Sequence, residues 1–120
     1  MEDYSFDYGK RIIFKNGAVY INADINGRIT IPCAMRNKDY KKKKGKVELQ
    51  DGKVIIKYSK DNSDINGHRR VTIPAKIRSE LKLKRQDYFK VLPNKECTVF
   101  TLVVATDELT DIDIGCAKNE

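Results

Sequence analysis

No apolar run in the 120-residue sequence approaches the ~18–20 residues that a helix needs to cross a bilayer. The first ten residues, MEDYSFDYGK, are acidic and aromatic and do not resemble a secretory signal peptide. We therefore expect no membrane association and a cytoplasmic location.

Histidine and cysteine are scarce, and neither occurs at the spacing of a known catalytic or metal-binding motif. The single histidine, His68, has no Ser, Cys or carboxylate partner at a recognisable spacing. Cys33, Cys97 and Cys116 are widely separated, without a CxxC or Cys–His pair of the zinc-binding kind. The sequence contains neither a nucleophile elbow nor a glycine loop that cradles phosphates. These absences argue against an enzyme, a metal site and a cofactor.

Positive charge is abundant and concentrated in the middle of the chain. The whole chain carries a net charge of +7, but residues 25–90 hold 19 Lys and Arg against 7 Asp and Glu, a net charge of +12. Such a basic block favours a polyanionic partner, and nucleic acid is the commonest one inside a cell. The alternative is a solvated, highly charged surface without a partner.

The basic block contains an internal repeat. DINGRITIP occupies residues 24–32 and DINGHRRVTIP occupies residues 64–74, and each is followed by an Arg four residues after its Pro. Repetition of this kind indicates one supersecondary unit used twice. We expect the two copies to face each other across a pseudo-two-fold axis.

Three β-hairpins are predicted around the two motifs, at residues 11–22, 46–58 and 89–104. The first two have Asn-Gly and Asp-Gly at their tips, dipeptides that supply the positive φ angles of a type I′ turn. The third bends at Pro93-Asn94. The predicted order is therefore hairpin, motif, hairpin, motif, hairpin.

Each motif predicts a short half-buried strand that ends at Pro32 or Pro74, because polar and apolar residues alternate before the proline. A helix is expected at residues 75–82, where Ile77 and Leu81 share one face, and a shorter one after Pro32. We expect one shared core containing Ile29, Ile31, Val54, Ile56, Val71, Ile73, Ile77, Leu81, Phe89 and Val91.

The pattern of Gly-Arg turn, strand ending in Ile-Pro, helix with Arg and closing hairpin resembles the SpoVT-AbrB swapped-hairpin domain. The resemblance covers about residues 19–104, and two tandem copies are similar to the MraZ-type arrangement. It implies a mainly β fold, an intertwined swapped-hairpin barrel of two pseudo-repeats with one or two short helices. The expected divisions are an N-terminal segment with the first hairpin strand (1–18), a degenerate first repeat (19–58), a second repeat (59–104) and an acidic tail (105–120).

The resemblance also implies a DNA-binding face. Its expected contact residues are Arg28, Arg36, Lys38, Arg69, Arg70, Lys76 and Arg78. Family members often carry a second adjacent helix Arg, but Asn37 and Ser79 stand there in this chain, which affects base preference more than phosphate binding. The alternatives are that Arg28 and Arg70 pair with Asp24 or Asp64, and that the helix arginines are exposed without a partner.

Three functions follow from these expectations. The leading one is a transcriptional regulator that binds double-stranded DNA as a homodimer or as a single-chain pseudo-dimer. The second is an antitoxin similar to the MazE type, whose acidic tail would bind a toxin through Leu109, Ile112 and Ile114. The third is an architectural protein that binds any polyanion. From sequence, the tail has no regular pattern, so its deletion from Asp107 onward is expected to lower the melting temperature by only a few degrees.

Overall fold

The computed structural model of the protein describes residues 11–24, 26–64, 70–84 and 86–114. Eight strands lie within these residues: β1 Ile12–Lys15, β2 Ala18–Asn22, β3 Arg28–Thr30, β4 Lys46–Gln50, β5 Lys53–Lys57, β6 Arg70–Thr72, β7 Tyr88–Pro93 and β8 Val99–Val104. All strand pairs are antiparallel. The predicted mainly β fold is confirmed. Within the described residues no helix is long and apolar enough to cross a membrane.

The three predicted hairpins are β1–β2, β4–β5 and β7–β8. Asn16 and Gly17 have φ angles of 52° and 80°, and Asp51 and Gly52 have 51° and 75°. Two successive positive φ angles are the signature of a type I′ turn, whose twist matches that of the flanking strands. The dipeptides at the tips therefore set the register of the first two hairpins.

Strands from the two repeats are mixed within one sheet. Its six strands run in the order β1-β2-β7-β8-β5-β4, so the hairpin of the second repeat lies between strands of the first. β3 and β6 pair with each other in a separate two-stranded ribbon. The prediction that hairpins from both halves interleave is thus confirmed, and neither repeat forms a body of its own.

One main core lies between the sheet and the ribbon. All ten residues predicted for it belong to this cluster, with Ile77 and Leu81 partly buried at its margin. The ribbon contributes Ile29, Ile31, Val71 and Ile73, and their packing against the sheet orients the ribbon.

The helices are short, as expected. α1 spans Ala75–Glu80 after Pro74, and Lys82 adopts a positive φ of 54° soon after its end. The first repeat forms only a 3₁₀ turn at Cys33–Met35, because Arg36 is already extended. A second 3₁₀ turn, Lys38–Tyr40, begins at Asn37, whose side chain accepts a hydrogen bond from the Asp39 N–H at 2.9 Å.

Residues 106–114, at the start of the tail, pack on the first hairpin. They form a 3₁₀ turn, Thr106–Glu108, and a one-turn helix, α2, at Asp111–Ile114. Leu109 and Ile114 pack against a second buried cluster that consists of Ile13, Tyr20, Tyr88 and Ala105. Tyr20 and Tyr88 point away from the main core because side chains alternate along a strand. Residues 106–114 therefore lie on the opposite face of the sheet from the ribbon.

Polar contacts reinforce this docking. The Tyr20 hydroxyl donates to Oε1 of Glu108 at 2.7 Å, and Nζ of Lys15 donates to Oδ2 of Asp113 at 2.7 Å. The hydrogen bond to Glu108 raises the pKa of Tyr20, while the Lys15 ammonium lowers the pKa of Asp113. The expectation from sequence that the tail makes few contacts with the rest of the protein is wrong for residues 106–114. Leu109 and Ile114 pack there on an apolar face of the sheet.

Candidate nucleic-acid interface

The β3–β6 ribbon brings the two repeats together at equivalent positions. Arg28 lies opposite Thr72 and Thr30 lies opposite Arg70, with the buried Ile29–Val71 pair between them. Because side chains alternate along a strand, both arginines point to the side away from the core. The ribbon therefore presents two guanidinium groups, at matching positions of the antiparallel pair, on one outward face.

Both arginines of the ribbon pair with the same carboxylate. Oδ2 of Asp24 accepts from Nε of Arg28 at 3.1 Å and lies 3.6 Å from Nη1 of Arg70. Oδ1 accepts from the backbone N–H groups of Asn26 and Arg28 at 2.8 and 3.0 Å. Burial alone would raise the pKa of Asp24, but these N–H groups and the Arg28 guanidinium outweigh it and lower that pKa. Asp24 is thus an ionised anchor for both arginines.

The equivalent aspartate of the second repeat has a different partner. Oδ1 of Asp64 accepts from Nζ of Lys43 at 2.8 Å, and the two residues also form an isolated β-bridge. The Lys43 ammonium lowers the pKa of Asp64. Of the pairings expected from sequence, Arg28 with Asp24 is confirmed, whereas Arg70 reaches the aspartate of the other repeat. Lys43 thus ties its loop to the start of the second motif.

Arg36 requires a correction, because it lies in the interior with only 4% of its surface exposed. Its Nη2 donates to the carbonyl oxygens of Tyr40 at 2.6 Å and Lys43 at 3.0 Å. Its Cζ also lies 4.1 Å from the centre of the Tyr58 ring. A side chain that is buried in this way cannot reach a nucleic acid at the surface, so the prediction that Arg36 contacts DNA is wrong.

Arg78 is half-buried and joins the second repeat to the turn of the first. Its Nε donates to the carbonyl oxygen of Ile73 at 3.0 Å, and its guanidinium lies against Gly27. A Cβ placed on Gly27 would come within 2.6 Å of Cζ of Arg78, and Gly27 also has a positive φ of 76°. Arg78 therefore supports the turn that carries Asp24 and Arg28, and its side chain is more structural than the sequence indicated.

The remaining predicted residues fall in two groups. Lys38, on the second 3₁₀ turn, and Lys76, on α1, are exposed. Arg69 lies outside the described residues. A small cleft lined by Asp24, Gly27, Arg78 and Lys84 also brings cationic side chains of the second repeat beside the turn of the first.

Sequence reasoning missed Arg11, which stands at the start of the first hairpin and outside both motifs. It lines a cleft of about 210 Å³ together with Asp24, Arg28, Thr30 and Arg70. No local signal distinguishes it, because the pairing of β1 with β2 alone brings it to the place where β2 ends and the turn begins. The site thus contains Arg11, Arg28 and Arg70, of which the repeat indicates only the last two.

The described residues contain no group of three or more His, Cys, Asp or Glu that could hold a metal ion. Cys33 and Cys97 are not joined in a disulfide and are of intermediate burial.

No family model, curated protein or solved structure matches the chain.

Proposed function

We propose that this protein binds double-stranded DNA through the outer face of the β3–β6 ribbon and acts as a transcriptional regulator. The observation that carries the proposal is the register of the ribbon, which places Arg28 and Arg70 at matching positions on one outward face. Their side chains are 36% and 35% exposed, so both guanidinium groups are accessible.

The symmetry of this face suits a duplex. The two strands of DNA are related by local two-fold axes, and proteins with two-fold symmetry bind them with matching contacts on each strand. An Arg can donate to both major-groove acceptors of guanine, or to two phosphate oxygens, with a fixed planar geometry. The exposed Lys38 and Lys76 would add less directional attraction to phosphates.

Preorganisation also favours binding at this face. Arg28 is hydrogen-bonded to Asp24, whose other oxygen is held by two backbone N–H groups. Ordering a long side chain at an interface costs ~0.5–1.5 kcal/mol, and part of this cost is already met in the folded protein. Residues 106–114 dock on the opposite face of the sheet, so they do not cover the ribbon.

The antitoxin reading has less support than the regulator reading. Leu109 and Ile114, two of the three anchors expected to bind a toxin, already pack on the chain's own first hairpin. Only Ile112 is largely exposed, at 89%. The architectural reading differs from the regulator in sequence preference alone, and the experiment below separates them.

The test is a binding-site selection from random duplex DNA, followed by affinity measurements against salt concentration. The variant to compare is Arg28→Gln/Arg70→Gln. A base-reading Arg is worth roughly 1–3 kcal/mol, so the double variant should bind the selected site about thirtyfold more weakly or worse. Binding to unrelated duplexes should fall less, which would lower the specificity ratio.

The matched control is Lys46→Gln/Lys53→Gln, which removes the same charge from exposed positions on β4 and β5. Their strand neighbours Val47 and Val54 face the main core, so both lysines lie on the side of the sheet away from the ribbon. Affinity within a few-fold of the parent is expected for this control. Equal losses in both variants would indicate a charge effect without a defined face. No salt-dependent binding to any duplex would refute the proposal.

A further inference from the structure

Arg11 is held in place by the end of the first hairpin. Its Nη1 donates to Oδ1 of Asn22 at 2.5 Å and to the carbonyl oxygen of Ala23 at 2.8 Å. Asn22 is itself buried and donates from Nδ2 to the carbonyl oxygen of Asp87 at 2.8 Å. The side-chain hydrogen bonds of Arg11 to other described residues are both made by Nη1. Among the described residues, the edge that carries Nε and Nη2 is therefore not hydrogen-bonded.

The cleft of about 210 Å³ beside it has an excess of positive charge. Arg11, Arg28 and Arg70 line it with three positive charges, and Asp24 supplies the single carboxylate among its lining residues. Thr30 adds a hydroxyl, which is a donor as well as an acceptor. The lining therefore carries a net charge of about +2 and is rich in donors, which suits an anion with several acceptor oxygens.

Asp24 does not make the cleft unsuitable for an anion, because its oxygens are already engaged. Oδ1 accepts two backbone N–H groups, and Oδ2 accepts Nε of Arg28 and lies near Arg70. The Asp24 carboxylate orients the Arg28 and Arg70 side chains, and the cleft lining still carries more positive than negative charge. A phosphate group would approach the arginines from the open side.

We propose that this cleft is a seat for a phosphate group, that Arg11 donates to it, and that Arg28 and Arg70 contribute positive charge beside it. The source of the phosphate rests on the proposed function, which makes it a phosphodiester of the DNA backbone. Contact at Arg11 then positions the duplex on the ribbon without reading a base, since phosphate contacts fix register and carry no sequence information directly. A free phosphate compound would offer the same chemistry.

The experiment compares the full chain with Arg11→Gln and with the control Lys53→Gln, using two probes. The first is duplex DNA across a range of salt concentrations. For Arg11→Gln, the slope of log affinity against log salt should become shallower by about one unit, the value of one phosphate contact, on every sequence alike. Lys53→Gln should leave the slope unchanged.

The second probe is inorganic pyrophosphate, followed by NMR through the backbone amides of Arg28, Thr30 and Arg70. The unaltered protein should show saturable shifts at these amides, and Arg11→Gln should weaken binding roughly tenfold, the worth of one charge-assisted hydrogen bond. The titration of the parent protein tests the phosphate seat even where Arg11→Gln loosens the hairpin. Arg11→Lys, which keeps the charge, should restore most of the salt slope.

The outcomes separate the two proposals. DNA binding with an unchanged slope in Arg11→Gln, and no pyrophosphate shift in the cleft, would overturn the phosphate seat and leave the DNA-binding proposal standing. Pyrophosphate binding that needs Arg11, without binding to any duplex, would support the seat with a free phosphate as its ligand and overturn DNA binding. Failure of both probes would overturn both.

Discussion

The burial of Arg36 leads to a prediction that separates structural arginines from binding ones. In the folded protein its guanidinium donates to the carbonyl oxygens of Tyr40 and Lys43 and lies over the ring of Tyr58. The substitution Arg36→Ala removes all three contacts at once. It should lower the free energy of unfolding and leave the DNA affinity of the folded protein unchanged.

The size of the effect follows from opposing contributions. Each hydrogen bond from a charged donor is worth roughly 1.5–3 kcal/mol, and a desolvated cation–π contact about 2 kcal/mol. Against this, Nε and Nη1 are buried without an acceptor among the described residues, and burying a charge costs several kcal/mol. Truncation relieves that cost but leaves two carbonyl oxygens without their donor and a cavity beside Tyr58. The net loss should be about 2–4 kcal/mol, within the range for a broken buried network.

Urea denaturation measures this loss. With a slope of about 2 kcal/mol/M, the unfolding midpoint should fall by about 1–2 M. Lys38→Ala is the control, because Lys38 is exposed and lies only two residues further along the chain. Its midpoint should correspond to a change within about 0.5 kcal/mol. The reasoning would be refuted if Arg36→Ala kept its midpoint and lost DNA affinity, since Arg36 would then act at the surface.

Three further predictions concern the turn and the tail. Gly27→Ala should both destabilise the protein and weaken DNA binding, because the new Cβ would force Arg78 away and strain a positive φ. Thermal unfolding measures the loss of stability. Gly17→Ala is the control for backbone strain alone, because Gly17 has a similar φ but open space around it. Deletion of residues 107–120 should lower the melting temperature by roughly 10 °C, since it removes the apolar packing of Leu109 and Ile114, and a change of only 2–3 °C would contradict the docking. Acid should loosen the same contact, because hydrogen bonds from Tyr20 and Lys15 lower the pKa values of Glu108 and Asp113. The stability that these two carboxylates contribute is present above about pH 4 and is lost as the pH falls through the lowered pKa values. NMR of the Leu and Ile methyl groups would detect the loosening.

Features that depend on neighbouring residues could be read from the sequence alone. Asn16-Gly17 and Asp51-Gly52 form the turns expected of them, because only residues that tolerate positive φ fit there. The helix after Pro74 and the ten predicted core residues follow from the spacing of apolar side chains. The repeat indicated that one unit is used twice, whereas the interleaving of the two copies was expected from the family resemblance.

The candidate site was only partly visible in this way. Arg28 and Asp24 are four residues apart, so their pairing was one of the alternatives that the sequence offered. The pairing of Arg70 with Asp24 crosses between the repeats, and it exists only because β3 lies against β6. Arg11 enters the same cleft through the pairing of β1 with β2, although nothing in its local sequence sets it apart from other basic residues.

The amino-acid pattern by itself determined the strands, the tight turns, the composition of the core and the basic character of the middle of the chain. The tertiary structure alone decided which arginines are accessible and whether the tail docks. Arg36 and Arg78 occupy equivalent places in the repeat, yet Arg36 donates to the carbonyl oxygen of Tyr40 and lies over the Tyr58 ring, while Arg78 lies against Gly27. The physical reason is that turn formation depends on the φ angles of a few adjacent residues, whereas burial depends on which distant segments pack over a side chain.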